Sequence, residues 1–255
     1  TLVIGTEEFT SFIARNSLYQ YTVDKSIPYD DLKLKFWNSR LSDTLRQRLS
    51  VIIGQTDNPL AIRSSSTSED SASQPFAGVF STFIIPNEKG RKEYTLELAC
   101  HAVKLIYASM YSDTARSYYE TVKHNIEEEK MAIVIQEVVG SRFGNYFYPH
   151  ISGVAQSYNF YPMAGMKPEE GYAVAGVGLG CYVVGGYPCY RFSPKYPSVQ
   201  MYTKNDLLKS TQTKFFALDL SLQDVDLLKN GELAALKFLS IYDAEKHGAL
   251  KHLAS

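Results

Sequence analysis

The sequence predicts a mixed α+β protein, and three patterns carry that expectation. Apolar residues recur at helical spacing early in the chain, as in Phe9, Phe12 and Ile13 and again in Leu45, Leu49, Ile52 and Ile53. A β-branched run, Met131 to Val139, has the character of a central strand. Strand-like and helix-like segments interleave without a strict βαβ rhythm, which disfavours a doubly wound α/β sheet. A chain of 255 residues, 45% of them apolar, is long enough for one large domain or two lobes.

Taken in order, Thr6 followed by Glu7 and Glu8 reads as a helix start, a capping hydroxyl with acids in the first turn. Residues 17–40 are mixed, with Pro28 interrupting any long helix. Ser42 caps a second helix that Gly54 ends. Leu60-Ala61-Ile62 is a short strand leading into a polar loop, Ser64 to Pro75, and Val79 to Ile85 is a second strand. The clearest helix is expected from about Lys92 to Tyr119. Leu96, Ala99, Cys100, Val103, Tyr107 and Met110 form its apolar stripe, and Glu97, Lys104 and Asp113 its polar face. Ile151 to Tyr158 and Tyr172 to Val177 read as further strands, and helix is expected from Asp219 onward, on the spacing of Leu233, Leu236, Lys237 and Ile241.

Composition excludes several classes. The net charge of −1 argues against a dedicated nucleic-acid binder and against a polybasic membrane surface. Gly171 to Tyr190 carries no charge over a length close to a membrane span, but its seven Gly and Pro residues suit two strands around a glycine turn. Three Cys cannot build a disulfide framework, which points to a reducing cytoplasm, and they lack the C-x-x-C or Cys/His spacing of a zinc site. The N-terminus lacks both the basic region of a signal peptide and an initiator Met, so the chain is expected to be part of something longer.

No Gly-Lys dipeptide occurs, so there is no Walker-type loop. The glycines of Gly176-Val177-Gly178-Leu179-Gly180 do not have dinucleotide-fingerprint spacing. The most unusual segment is Arg63-Ser64-Ser65-Ser66-Thr67-Ser68-Glu69-Asp70, followed by Ser73 and Phe76-Ala77-Gly78. It reads either as a serine-rich surface loop or as a phosphate-binding lid. In the second reading Arg63 forks onto a polyphosphate while hydroxyls and backbone N–H groups wrap its oxygens.

Ile62-Arg63-Ser64-Ser65-Ser66-Thr67-Ser68-Glu69-Asp70, then Ser73, Phe76-Ala77-Gly78 and Thr82, closely resemble the N-terminal nucleotide-binding domain of phosphoenolpyruvate synthases and pyruvate phosphate dikinases, which rifampin phosphotransferases share. Ser109 to Ala115, Val134-Ile135-Gln136-Glu137-Val138-Val139, Ser152-Gly153-Val154, Gly178-Leu179-Gly180 and Val183-Val184-Gly185-Gly186 also fall near family elements. The resemblance spans about residues 1–200 and implies an ATP-grasp-like fold with ATP between two lobes. On that division, about 1–130 is the first lobe, 131–200 the second and 201–255 a divergent helical extension.

Carried over, the resemblance makes Arg63 the catalytic and phosphate-binding cation, with Gly78 and Thr82 lining the loop beside the phosphates. Gln136, with the backbone of Glu137 and Val138, forms the strand hinge that reads adenine. On the residues alone, Gln136 and Thr82 also fit ordinary strand positions, and Gly178 and Gly180 a tight turn.

The family's phosphate-binding Lys would lie upstream, and its Mg²⁺ carboxylates and Gln-x-Arg strand downstream. Cys181 replaces the Glu of the family's G-L-G-E, and none of the five His residues, His150 included, matches the phosphohistidine motif.

The implied function is the ATP-binding part of a phosphotransferase. With ATP and Mg²⁺, it would phosphorylate a His on a swivelling domain of the same polypeptide, for transfer to pyruvate bound by another domain. These residues alone are expected to be inactive and to hold no metal. Two alternatives stand beside it: a non-catalytic ATP-grasp regulatory or scaffold module, favoured by Cys181, and a phosphotransferase acting on another small molecule.

Overall fold

The structure is a computed structural model describing residues 1–66, 69, 78–122, 125, 126, 129–163, 165–199, 203, 205 and 211–253. Thr67, Ser68, Asp70, Ser73, Phe76 and Ala77 of the loop motif lie outside the described residues. Helices and antiparallel sheets are mixed, as the pattern predicts. The chain divides into two compact units, one made of Thr1–Val138 and Leu222–Ala235, the other of Val139–Ser221 and Leu236–Ser255.

In the first unit, β1 (Leu2–Ile4), β2 (Leu60–Ser66), β3 (Thr82–Ile85) and β4 (Met131–Glu137) form a sheet in the order β1-β4-β2-β3. Its helices are α1 (Thr6–Arg15), α2 (Tyr19–Val23), α3 (Tyr29–Asn38), α4 (Asp43–Gln55), α5 (Lys92–Ser109) and α6 (Asp113–Val122). The period of two in β2, β3 and β4 buries Leu60, Ile62, Phe83, Ile85, Ile133 and Ile135 on one face of the sheet, where α5 packs. Phe12, Phe36 and Tyr107 extend that core in tilted ring contacts, with centroids 5.4 Å apart for Phe12 and Tyr107 and 5.8 Å for Phe12 and Phe36. The stripes Phe9, Phe12, Ile13 and Leu45, Leu49, Ile53 are buried as their spacing predicts.

Several local expectations are corrected. Thr6 is not the cap of α1; Gly5 occupies that position and makes no side-chain cap bond. The α4 helix runs one residue beyond Gly54, and the second strand begins at Thr82 rather than Val79. The long helix is two helices, because the chain turns at Met110 to Ser112 and the Ser112 hydroxyl accepts from Ala115 N–H at 3.2 Å to start α6. Lys104 is not on a solvated face. It is buried against α3, where its ammonium donates to the Trp37 carbonyl and lies 5.8 Å from the Trp37 ring. On α5 the polar face meets another helix, and a lysine stem can line that contact.

In the second unit, β5 (Ser141–Phe143), β6 (Tyr146–Tyr148), β10 (Lys214–Asp219) and β11 (Leu236–Ser240) form a sheet in the order β11-β10-β6-β5. A smaller sheet, β7-β8-β9, contains Ser152–Gln156, Tyr172–Gly176 and Tyr190–Phe192. The uncharged stretch therefore holds one strand, Tyr172–Gly176, and a helical turn, α7 (Cys181–Val184), and it ends on the first residue of β9, which pairs with that strand. From Asp219 onward the predicted helix is largely absent. Only Leu227–Asn230 and Ile241–Lys246 are α-helical there, and Leu236–Ser240 pairs antiparallel with β10. All three cysteines are free thiols.

The segment Leu222–Ala235 returns to the first unit and fastens beside β3 and α5. The Arg91 guanidinium donates to the Leu222 carbonyl at 2.8 Å and to that of Gln223, and Val225 N–H donates to the Tyr94 hydroxyl at 2.6 Å.

Candidate functional site

The register of the first sheet decides which side chains share a face. Arg63 pairs with Thr82 on β3 and with Val134 on β4, and Val134 pairs with Val3 on β1. Ala61 pairs with Ile84 and with Gln136. Directly paired residues project to the same side, so Arg63, Thr82 and Gln136 lie together on the face opposite the buried core. Ser65, two residues beyond Arg63, projects there too. Apolar Val3, Ala61, Ile84, Ala132 and Val134 fill the rest of that face, with Val3 60% exposed.

Arg63 is exposed and forms no ion pair among the described residues. An unpaired guanidinium on a small-residue face is suited to a phosphate or carboxylate, which it can bind with two parallel hydrogen bonds. Gly78 is exposed with φ +82°, a left-handed conformation that glycine adopts without strain.

Two serines of the motif are turned elsewhere. The Ser64 hydroxyl donates to Glu69 Oε1 at 2.9 Å, and Ser66 N–H donates to Glu69 Oε2 at 3.0 Å. That leaves Ser65 as the described serine of β2 that shares a face with Arg63.

At the end of β4, Gln136 is half-buried on the Arg63 face, whereas the Glu137 side chain falls on the opposite one and accepts from Asn58 Nδ2 at 3.1 Å. Val138 N–H donates to the Pro59 carbonyl at 2.8 Å, so that donor is already engaged. The first unit's long segment ends at Val138.

Gly178 is a packing glycine within the second unit. Its φ is +88°, a Cβ there would lie 2.5 Å from the Phe215 ring, and its carbonyl accepts from the Ser152 hydroxyl at 2.7 Å. Cys181 is the first residue of α7, and His150 packs edge-on against Phe143, with centroids 5.5 Å apart. Among the described residues no group of three His, Cys, Asp or Glu is placed to hold a metal, and no helix is long and apolar enough to cross a membrane.

One residue beside this face was not signalled by the sequence. Glu232 accepts a 2.8 Å hydrogen bond from the backbone N–H of Thr82. The residue is exposed, yet partial desolvation pushes its pKa up against the lowering effect of hydrogen bonds from Thr82 and Ser81. A separation of 150 residues hides the contact from any local pattern.

The outer face of the first unit's sheet thus carries one exposed guanidinium, with no ion-pair partner among the described residues, on an otherwise largely apolar surface. A family model described as the pyruvate phosphate dikinase AMP/ATP-binding domain matches residues 1–229, and the chain belongs to that family. Among curated relatives, a phosphoenolpyruvate synthase from Aeropyrum pernix is 32% identical over 141 residues, covering 55% of this chain and 15% of the relative. A phosphoenolpyruvate synthase from Deinococcus radiodurans is 36% identical over 117 residues, covering 45% and 13%. An uncharacterized phosphotransferase from Bacillus subtilis is 32% identical over 110 residues, covering 42% and 12%. The chain thus matches about an eighth to a seventh of each relative's length.

Proposed function

We propose that the chain is the ATP-binding part of a phosphotransferase resembling phosphoenolpyruvate synthase and pyruvate phosphate dikinase, with an ATP-grasp-like fold. The observation that carries this reading is Arg63, exposed, unpaired among the described residues and in register with Thr82 on one sheet face. Arg63 binds the phosphate chain, and Thr82 and Gly78 line its path. Gln136, with the backbone of Glu137 and Val138, meets the adenine. The apolar rows around Ala61 and Val134 give a base a flat surface to lie on.

In phosphoryl transfer the protein's work is chiefly to hold and neutralise the phosphates, and Arg63 supplies one cation for that task. Mg²⁺ neutralises further charge when it accompanies the nucleotide. The described residues offer it no carboxylate cluster, and its protein ligands are proposed to lie outside these 255 residues. In the whole protein, in the cytoplasm, the acceptor is a His on a swivelling domain, from which the group passes to pyruvate on another domain.

Calorimetric titration of the full-length protein with ATP and Mg²⁺ tests the reading. Binding is expected, and Arg63→Ala should weaken it by about thirtyfold, equivalent to roughly 2 kcal/mol for a lost charge-assisted hydrogen bond. No ATP binding by the unaltered protein, or an unchanged affinity in Arg63→Ala, would refute it.

A further inference from the structure

Glu232 sits where an incoming anion would be unwelcome. Its carboxylate takes the backbone N–H of Thr82, on the strand residue directly paired with Arg63. Among the described residues no lysine or arginine forms an ion pair with Glu232, and none of the acids pairs with Arg63. Among the described residues, then, Glu232 meets the backbone N–H of Thr82 while Arg63 stands on the residue paired with it, and neither is neutralised by an ion pair.

A carboxylate held by a backbone N–H, with a serine hydroxyl as second donor, has the donor set that a phosphate oxygen would use. The acid is carried by Leu222–Ala235, which the Arg91 and Tyr94 side chains fasten to the first unit independently of Glu232.

We infer that Glu232 is an internal competitor of the nucleotide's phosphates, occupying the Thr82 N–H in the ligand-free protein and opposing any anion that binds at Arg63. The inference rests on the reading of Arg63 and Thr82 as phosphate-binding residues. Two effects act in the same direction. A phosphate seated at Arg63 brings negative charge close to the Glu232 carboxylate, and near a protein surface such repulsion is several-fold stronger than in bulk water. A phosphate oxygen can take the Thr82 N–H only after Glu232 has released it. Strand-edge protection alone also uses an acid at such a position. That role requires a hydrogen-bond acceptor but not a negative charge, so exchanging the charge for an amide separates the two roles.

The experiment is calorimetric titration of the full-length protein with ATP and Mg²⁺, using the unaltered protein, Glu232→Gln, Glu232→Ala and Arg63→Ala. Glu232→Gln keeps an acceptor for Thr82 N–H and removes only the charge, so it guards against loss of folding in Glu232→Ala. Both Glu232 variants are expected to tighten ATP binding by about fivefold to tenfold. Amide exchange at Thr82, followed without nucleotide, should quicken in Glu232→Ala.

If Arg63→Ala weakens ATP binding while both Glu232 variants stay within twofold of the unaltered protein, the competitor role is overturned and the phosphate-site reading stands. Weaker binding in Glu232→Gln would make the acid a helper of the ligand and overturn the inference as well. If the unaltered protein binds no ATP, the underlying reading fails and the inference falls with it.

Discussion

The two faces of the first unit's sheet are built from the same strands, yet they do opposite work. On one, Ile62, Phe83, Ile133 and Ile135 are no more than 3% exposed and lock the sheet to α5. On the other, their immediate neighbours Arg63, Thr82, Val134 and Gln136 are exposed or half-buried. A one-residue slip in register would exchange the two sets, burying a guanidinium and exposing four large apolar side chains. The packed face thus fixes where Arg63, Thr82 and Gln136 stand, although its side chains project away from them.

The sharpest way to break this comparison is to truncate one side chain on each face. Ile135→Ala should cost about 2–5 kcal/mol of stability in chemical denaturation, through lost burial and the cavity left behind. Arg63→Ala should stay within about 0.5 kcal/mol, because it removes an exposed side chain with no ion-pair partner among the described residues. Comparable losses in the two variants would contradict the division of labour.

A pH titration probes the helical layer behind the packed face. His101 lies tilted against Trp37 with centroids 3.7 Å apart, and burial, with Lys104 nearby, lowers its pKa to about 4. The unfolded chain, with His near its ordinary 6.5, takes up the proton first. Stability therefore falls as pH drops from about 6.5 towards 4, by something on the order of 2 kcal/mol. His101→Phe keeps a ring against Trp37 and should flatten that slope. Glu97, held below its usual range by Arg46, adds a separate loss only below the ordinary glutamate range.

A smaller loss than in the core is expected at Ser42, whose hydroxyl accepts from Leu45 N–H at 3.1 Å and donates to Glu8 at 2.7 Å. Ser42→Ala should cost about 1 kcal/mol in thermal or chemical unfolding, with no change in ligand affinity.

Much of the first unit was legible because its signals are local. The Ser42 cap, the stripe of α4 and the β-branched run of β4 each announce themselves within a dozen residues. The division of the long helix was missed: Ser112 followed by Asp113 is an N-terminal signal, but the apolar spacing continues across it and conceals the turn. The last strand was missed as well. Leu236, Lys237 and Ile241 fit a helical stripe, yet Phe215↔Leu239 and Ala217↔Lys237 pair across β10 and β11, and long-range pairing overrides the local pattern.

The motif singled out Arg63 and Thr82 by type, but it took the register to show that they share a face with Gln136. The sequence motif also grouped Ser64 and Ser66 with Ser65, whereas their donors go to Glu69. Glu232 lay beyond reach of sequence reasoning, because a solitary acid 150 residues from its partner carries no local signature.

The discontinuity of the first unit sets an order of events on the ribosome. Its long segment ends at Val138, but the piece that meets Thr82 at the outer edge of β3 ends only at Ala235. At ordinary synthesis rates of about 5–20 residues per second, the intervening stretch of roughly a hundred residues takes about 5–20 s to emerge. Until that segment emerges, β3 lacks the Glu232 contact at its outer edge, and exposed strand edges are the kind of surface that nascent chains join to one another. The late-arriving segment thus completes the first unit and closes the period in which its sheet is most prone to mispairing.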